Sequence, residues 1–149
     1  MTYLVDTNVA LRLTLQSEPQ NGFIEAAVSR LRERGEVLFI TAQILIEFQA
    51  LATRPASANG LGMTAMQASI EANKLETVFP RLDETPEIYP AWRILANTYN
   101  IVGRQVFDAR LVAVMHVYGV THLLILDSGH FQRFRGITVV DPANVQEQA

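Results

Sequence analysis

Residues 103–131 read GRQVFDARLVAVMHVYGVTHLLILDSGHF. From 106 to 118 the run VFDARLVAVMHVY is apolar at most positions, which predicts a helix buried over much of its circumference. Gly119 is placed to stop it. Residues 121–126 (THLLIL) predict a short strand buried on both faces and ending at Asp127. A buried helix running into a two-sided strand is one half of a parallel α/β unit, and that reading organises the rest of the chain.

The same alternation recurs on either side. TYLV at 2–5 predicts a buried strand ending at Asp6, followed by a helix over 7–14 opened by Asp6 or Thr7. A second helix fits 20–34, with Phe23, Ala27, Val28 and Leu31 on one face and Gly35 as its stop. VLFI at 37–40 predicts the next strand, and Thr41 caps a helix over 42–52 with Ile44, Leu45, Phe48, Leu51 and Ala52 on its apolar face. RPASANGLG at 54–62 is dense in turn residues and reads as a loop inside the domain. Beyond it, the spacing predicts a helix from Thr64 to Leu75 and a short strand near 77–80. Another helix starts at Thr85-Pro86 and runs to about Tyr99, its true start delayed by Pro90. A turn carrying Phe131 and Phe134, a last strand at 137–140 and a polar tail over 141–149 complete the chain. Continuous apolar strands alternating with helices predict one domain over 1–149: a three-layer α/β/α sandwich around a mostly parallel sheet of about five strands. In such sheets, sites form at the carboxyl ends of strands.

Composition narrows the chemistry. The chain has 149 residues, 49% of them hydrophobic, enough to bury a core. It has no cysteine, which removes disulfides and thiolate metal ligands and fits a reducing compartment. No apolar run reaches the length of a membrane span, and no basic segment precedes the first apolar run, so a cytoplasmic protein is expected. The formal charge of −3 gives no bulk attraction to nucleic acid, yet all but one of the 12 basic residues are arginine, Lys74 being the exception. Arginine suits bidentate pairing with phosphate or carboxylate, although genome base composition also enriches it.

Four carboxylates fall where a parallel sheet would gather them. Asp6 and Asp127 follow predicted strands directly. Glu47 lies in ILIEFQA and Asp108 opens the most apolar helix, both in company where an unpaired carboxylate is costly. Each also has a plain structural explanation. Asp6 and Asp127 can be helix caps, the latter supported by Ser128, and Asp108 can be a first-turn acid favoured by the helix dipole. Glu47 is mid-helix with no lysine at helical spacing. Four carboxylates in one pocket repel one another, and a divalent cation removes that penalty. Oxygen-only donors favour magnesium or manganese over zinc. A hard cation on carboxylates suits phosphodiester hydrolysis.

The sequence resembles PIN-domain ribonucleases of the VapC toxin type over nearly its whole length. VDTNVAL at 5–11 is similar to the family's opening motif, with Asp6 at its first metal-binding acid. Glu47 in ILIEFQAL matches the second, Asp108 the third, and Asp127 the acid or asparagine that closes the fourth strand. Ile125, Phe107 and His130 depart from the residues many members carry there. The resemblance implies magnesium- or manganese-dependent cleavage of single-stranded RNA. It also implies a homodimer and a small antitoxin protein whose peptide reaches the acidic pocket.

On that basis Asp6, Glu47, Asp108 and Asp127 are expected to be both catalytic and metal-binding, through a water that attacks the phosphate. Thr7 and Asn8 are placed to hydrogen-bond the first carboxylate or a metal-bound water, and Ser128 is expected to support the site in the same way beside Asp127. Arg12, Arg54, Arg104 and Arg110 are candidate RNA contacts, with Arg133 and Arg135 just past Asp127. For any one arginine, surface solvation or an internal ion pair is the favoured reading over a phosphate contact, and Arg110 could pair with a carboxylate. His130 is the one histidine placed to reach the pocket rim, while Trp92, Tyr89 and Tyr99 read as packing or dimer surface. One rival is a catalytically weak PIN-like module that binds protein. Another is a haloacid-dehalogenase-like phosphohydrolase, which wants an aspartate where Asn8 stands and a pocket lysine.

Overall fold

The computed structural model describes residues 1–15 and 18–145. Five strands alternate with six helices among them: β1 (Thr2–Val5), α1 (Thr7–Leu13), α2 (Gly22–Glu33), β2 (Val37–Thr41), α3 (Ala42–Thr53), α4 (Ala65–Val78), β3 (Arg81–Leu82), α5 (Ile88–Thr98), α6 (Gln105–Tyr118), β4 (His122–Leu124) and β5 (Thr138–Val140). None of these helices is long and apolar enough to cross a membrane.

The helix ends follow their side chains. Thr41 Oγ1 accepts from the Ile44 amide at 3.1 Å and opens α3. Thr64 and Gln67 form a reciprocal capping box at the start of α4. Gly119, at φ 69°, takes the left-handed turn that ends α6, and Val120 N–H returns to the Met115 carbonyl at 2.9 Å.

All strand pairs are parallel, in the order β3-β2-β1-β4-β5. The order reverses at β1: the chain moves outward through β2 and β3, then returns to the other side of β1 for β4. Right-handed crossovers therefore put α1–α4 on one face and α5–α6 on the other, and the helices pack in those two groups. The core lies between, with Leu4, Ile40, Ile44, Phe48, Leu111, Met115, Leu123 and Phe134 fully buried. Burying one such side chain contributes about 1.5–3 kcal/mol.

Several boundaries differ from the sequence reading. The strand expected over 121–126 stops at Leu124. Its neighbour β1 ends at Val5, and the amide of Asp6 makes the last bond, to the Leu124 carbonyl at 3.0 Å. Asp127 therefore stands past the sheet. The strand expected near 77–80 is at 81–82, because α4 continues to Val78, fully buried Phe79 anchors its end, and the Pro80 carbonyl accepts from Ile40. On α2 the buried stripe is Ile24, Ala27, Val28 and Leu31, while Phe23 faces outward. α5 begins at Ile88 with Pro90 in its first turn, where no amide hydrogen is needed. Of the polar tail, Pro142–Asn144 form a 3-10 turn and Val145 is buried; residues 146–149 lie outside the described residues.

The 54–62 loop is tightly folded: Gly60 packs so that an added Cβ would lie 2.0 Å from the Arg54 carbonyl oxygen. That neighbour is backbone and cannot swing aside. Gly60→Ala is expected to destabilise the protein by about 2 kcal/mol or more, read as a lowered midpoint in urea unfolding. An unchanged midpoint would show that the loop shifts freely.

Candidate active site

The switch in strand order opens a crevice at the carboxyl end of β1. Asp6 sits there as the N-cap of α1. Its carbonyl accepts from Ala10 at 3.0 Å, continuing the helix, and its Oδ2 accepts from the Asn8 amide at 3.3 Å. The carboxylate is only 9% exposed. Burial, opposed by the Asn8 and Thr7 amides and reinforced by the charges of Glu47 and Asp108, pushes its pKa up to about 6. Asp6 thus caps the helix and also belongs to a cluster of like charges.

Glu47 comes from α3, one turn beyond Gln43. Both of its oxygens are held: Oε2 accepts from the Thr7 hydroxyl at 2.8 Å, and Oε1 from Gln43 Nε2 at 2.9 Å. Asp108 lies in the first turn of α6, half-buried. Burial and the Glu47 charge raise its pKa, against lowering by His130 and Arg133 from the turn after β4. Three of the four expected acids are therefore close enough to feel one another.

Asp127 is exposed, and its Oδ1 accepts from the Gly129 amide at 3.4 Å. Ser128 accepts from Gln132 at 3.3 Å. Thr7 joins the site through Glu47, whereas Asn8 is exposed and contributes its backbone amide. Ile125 is buried in the core.

The arginines divide. Arg12, Arg54 and Arg104 are exposed and make no hydrogen bond or ion pair with other described residues through their side chains. Arg110 is engaged on both nitrogens: Nη1 donates to Gln43 Oε1 at 3.0 Å and Nη2 pairs with Glu84 Oε2 at 2.7 Å. Gln43, buried between these groups, is the residue the sequence reading missed. Its spacing four before Glu47 on a helix was the available signal. Lys74 pairs with Glu71 on the outside of α4, far from the role a phosphohydrolase lysine would need.

No salt bridge reaches Asp6, Glu47 or Asp108 among the described residues. Nor do any three His, Cys, Asp or Glu side chains among them already form a metal-binding group. The donor chemistry nevertheless fits a hard cation. It offers carboxylate oxygens only, that of Asp6 pushed toward its neutral form chiefly by burial and further by two like charges. Small side-chain movements toward a cation would relieve that repulsion.

A family model of the PIN domain matches residues 3–137. Among solved structures, the chain is similar to VapBC2 from Rickettsia felis, bound to a DNA fragment from their promoter, at 12% identity and a TM-score of 0.70, covering 94% of this chain and 98% of that one. It is similar to VapBC-1 from nontypeable Haemophilus influenzae at 18% identity and a TM-score of 0.70, covering 95% and 98%. VapC20 from Mycobacterium tuberculosis, a Sarcin-Ricin loop cleaving toxin, matches at 20% identity and a TM-score of 0.59, covering 86% and 92%. No curated protein sequence matches.

Proposed function

Since the chain belongs to the PIN-domain family, we propose that it is a magnesium- or manganese-dependent endoribonuclease acting on single-stranded RNA, the toxin of a toxin–antitoxin pair. The carrying observation is the buried Asp6 carboxylate, held beside Glu47 and Asp108 with no salt bridge to any of the three among the described residues. The VapBC and VapC neighbours support the toxin reading and with it an antitoxin partner; a homodimer in a cytoplasmic setting is part of the same proposal.

Asp6, Glu47 and Asp108 would hold the cation. Bound there, it would polarise a phosphoryl oxygen and lower the pKa of a water. Thr7 and Gln43 keep the Glu47 carboxylate from rotating. Asp127, exposed past β4, would orient the attacking water or a second ion. Hydrolysis would form a bond from water oxygen to phosphorus and break the P–O3′ bond in line. The products are a 5′-phosphate and a 3′-hydroxyl, the leaving oxygen taking a proton and the attacking water losing one. The test is cleavage of labelled single-stranded RNA with magnesium or manganese by native protein, Asp6→Asn and Asp108→Asn. Unchanged cleavage in both variants overturns the assignment.

Arg12, Arg54 and Arg104 are free to contact phosphates, and Arg110 is not. If three phosphates are neutralised, the logarithm of RNA affinity should fall with the logarithm of salt at a slope of about −2. Replacing the three arginines with alanine should flatten that slope. A native slope near zero would remove them from RNA binding.

A further inference from the structure

The Gln43 side chain uses three of its hydrogen-bonding positions, one within its own helix and two across to α6. Oε1 accepts from Arg110 of α6, and Nε2 donates both to Glu47 of α3 and to the Phe107 carbonyl of α6, at 2.9 Å each. The orientation of the amide follows from chemistry. A guanidinium only donates, so the atom facing Arg110 must be the oxygen, which turns both amide hydrogens toward the carboxylate and the carbonyl. Arg110 is itself held by Glu84, just beyond β3.

We propose that Gln43 is a positioning residue for the metal pocket: its amide fixes the Glu47 carboxylate and ties it to the residue before Asp108, setting the separation of two acids on different helices. The proposal rests on the metal-binding reading of those acids. Glu47 is half-exposed, and a carboxylate at that position would otherwise sample several rotamers. Gln43 and Thr7 take one hydrogen bond on each oxygen and leave each oxygen with capacity to bind a cation. A neutral amide does this without cancelling charge. Arg110 paired directly with Glu47 would compete with the cation; here its charge meets Glu84, and only its orienting effect passes through Gln43. Arg110 thus acts behind the pocket and not on RNA.

The experiment measures Mn2+ binding by electron paramagnetic resonance of the free ion, for native protein, Gln43→Met, Arg110→Met and Asp6→Asn. Circular dichroism melting monitors folding. Gln43→Met should bind Mn2+ about tenfold more weakly. Arg110→Met should shift in the same direction by less, since it frees the amide to flip. Saturating Mn2+ should return the RNA cleavage rate of Gln43→Met to within about twofold of native, which a general folding defect would not allow. If Gln43→Met does not fold, Arg110→Met carries the test. Native-like Mn2+ affinity in the folded Gln43 and Arg110 variants, with Asp6→Asn impaired, overturns the positioning role and leaves the metal site standing. Native protein that binds no Mn2+ overturns both.

Discussion

An Asp6→Asn variant is expected to lose more than about 100-fold in RNA cleavage while remaining folded. Asn keeps the shape and the capping oxygen, so the Asn8 amide retains an acceptor and α1 keeps its start. What it loses is the negative charge at the most buried point of the acid cluster. Asp108→Asn should fall by a similar factor, because it removes the acid on the opposite helix. Gel analysis of end-labelled RNA with Mg2+ or Mn2+, against a chelator control, reads both. Cleavage within about threefold of native in each variant would mean that the chemistry lies elsewhere.

The second large effect has the opposite sign. Without metal, Asp6→Asn should be more stable than native protein at neutral pH. Burial and two neighbouring acids push the Asp6 carboxyl up to about 6, against about 4 in an unfolded chain. The native state therefore holds the proton more tightly than the unfolded state. The resulting stability is fully present below about pH 4 and is lost as pH rises through about 6. A difference of about two pH units corresponds to about 3 kcal/mol. Burial raises Asp108 as well, which adds in the same direction. Urea unfolding in a chelator at pH 4.5 and pH 7 should show native protein losing stability relative to Asp6→Asn across that interval. Parallel behaviour of the two proteins would contradict the burial of the charge. Adding Mn2+ at pH 7 should then favour native protein alone, because only the ionised carboxylate binds the cation.

These expectations depend on features of uneven legibility in the sequence. The layered fold was readable because β1, β2 and β4 are continuous apolar runs that could only be buried on both faces. The strand end and helix cap at Asp6 were readable because a strand, a cap and a helix meet within a few residues. The closeness of Glu47 and Asp108 to Asp6 followed from the parallel sheet, which brings helix starts to one edge. The end of β4 was read two residues too late because the sequence shows where apolar character ends, not where a partner strand ends. The run continues to Leu126, but β1 has already turned at Asp6. Phe23 and Ile24 were exchanged because a helical stripe read from spacing has a rotational uncertainty of one residue. Gln43 was hidden for a different reason. Its partners Phe107 and Arg110 are more than sixty residues away, and only its spacing four before Glu47 pointed to the site.

The central position of β1 has a consequence for the order in which the molecule is made. β1 pairs with β2 soon after both emerge, but its other edge waits for β4, and Asp6 waits for Asp108. A ribosome must therefore synthesise α6 before the acids can meet, and β4 before the central strand is covered on both sides. Until then the chain exposes half of its innermost strand and has no assembled pocket. Nascent chains halted before α6 should neither bind the cation tightly nor cut the RNA around them.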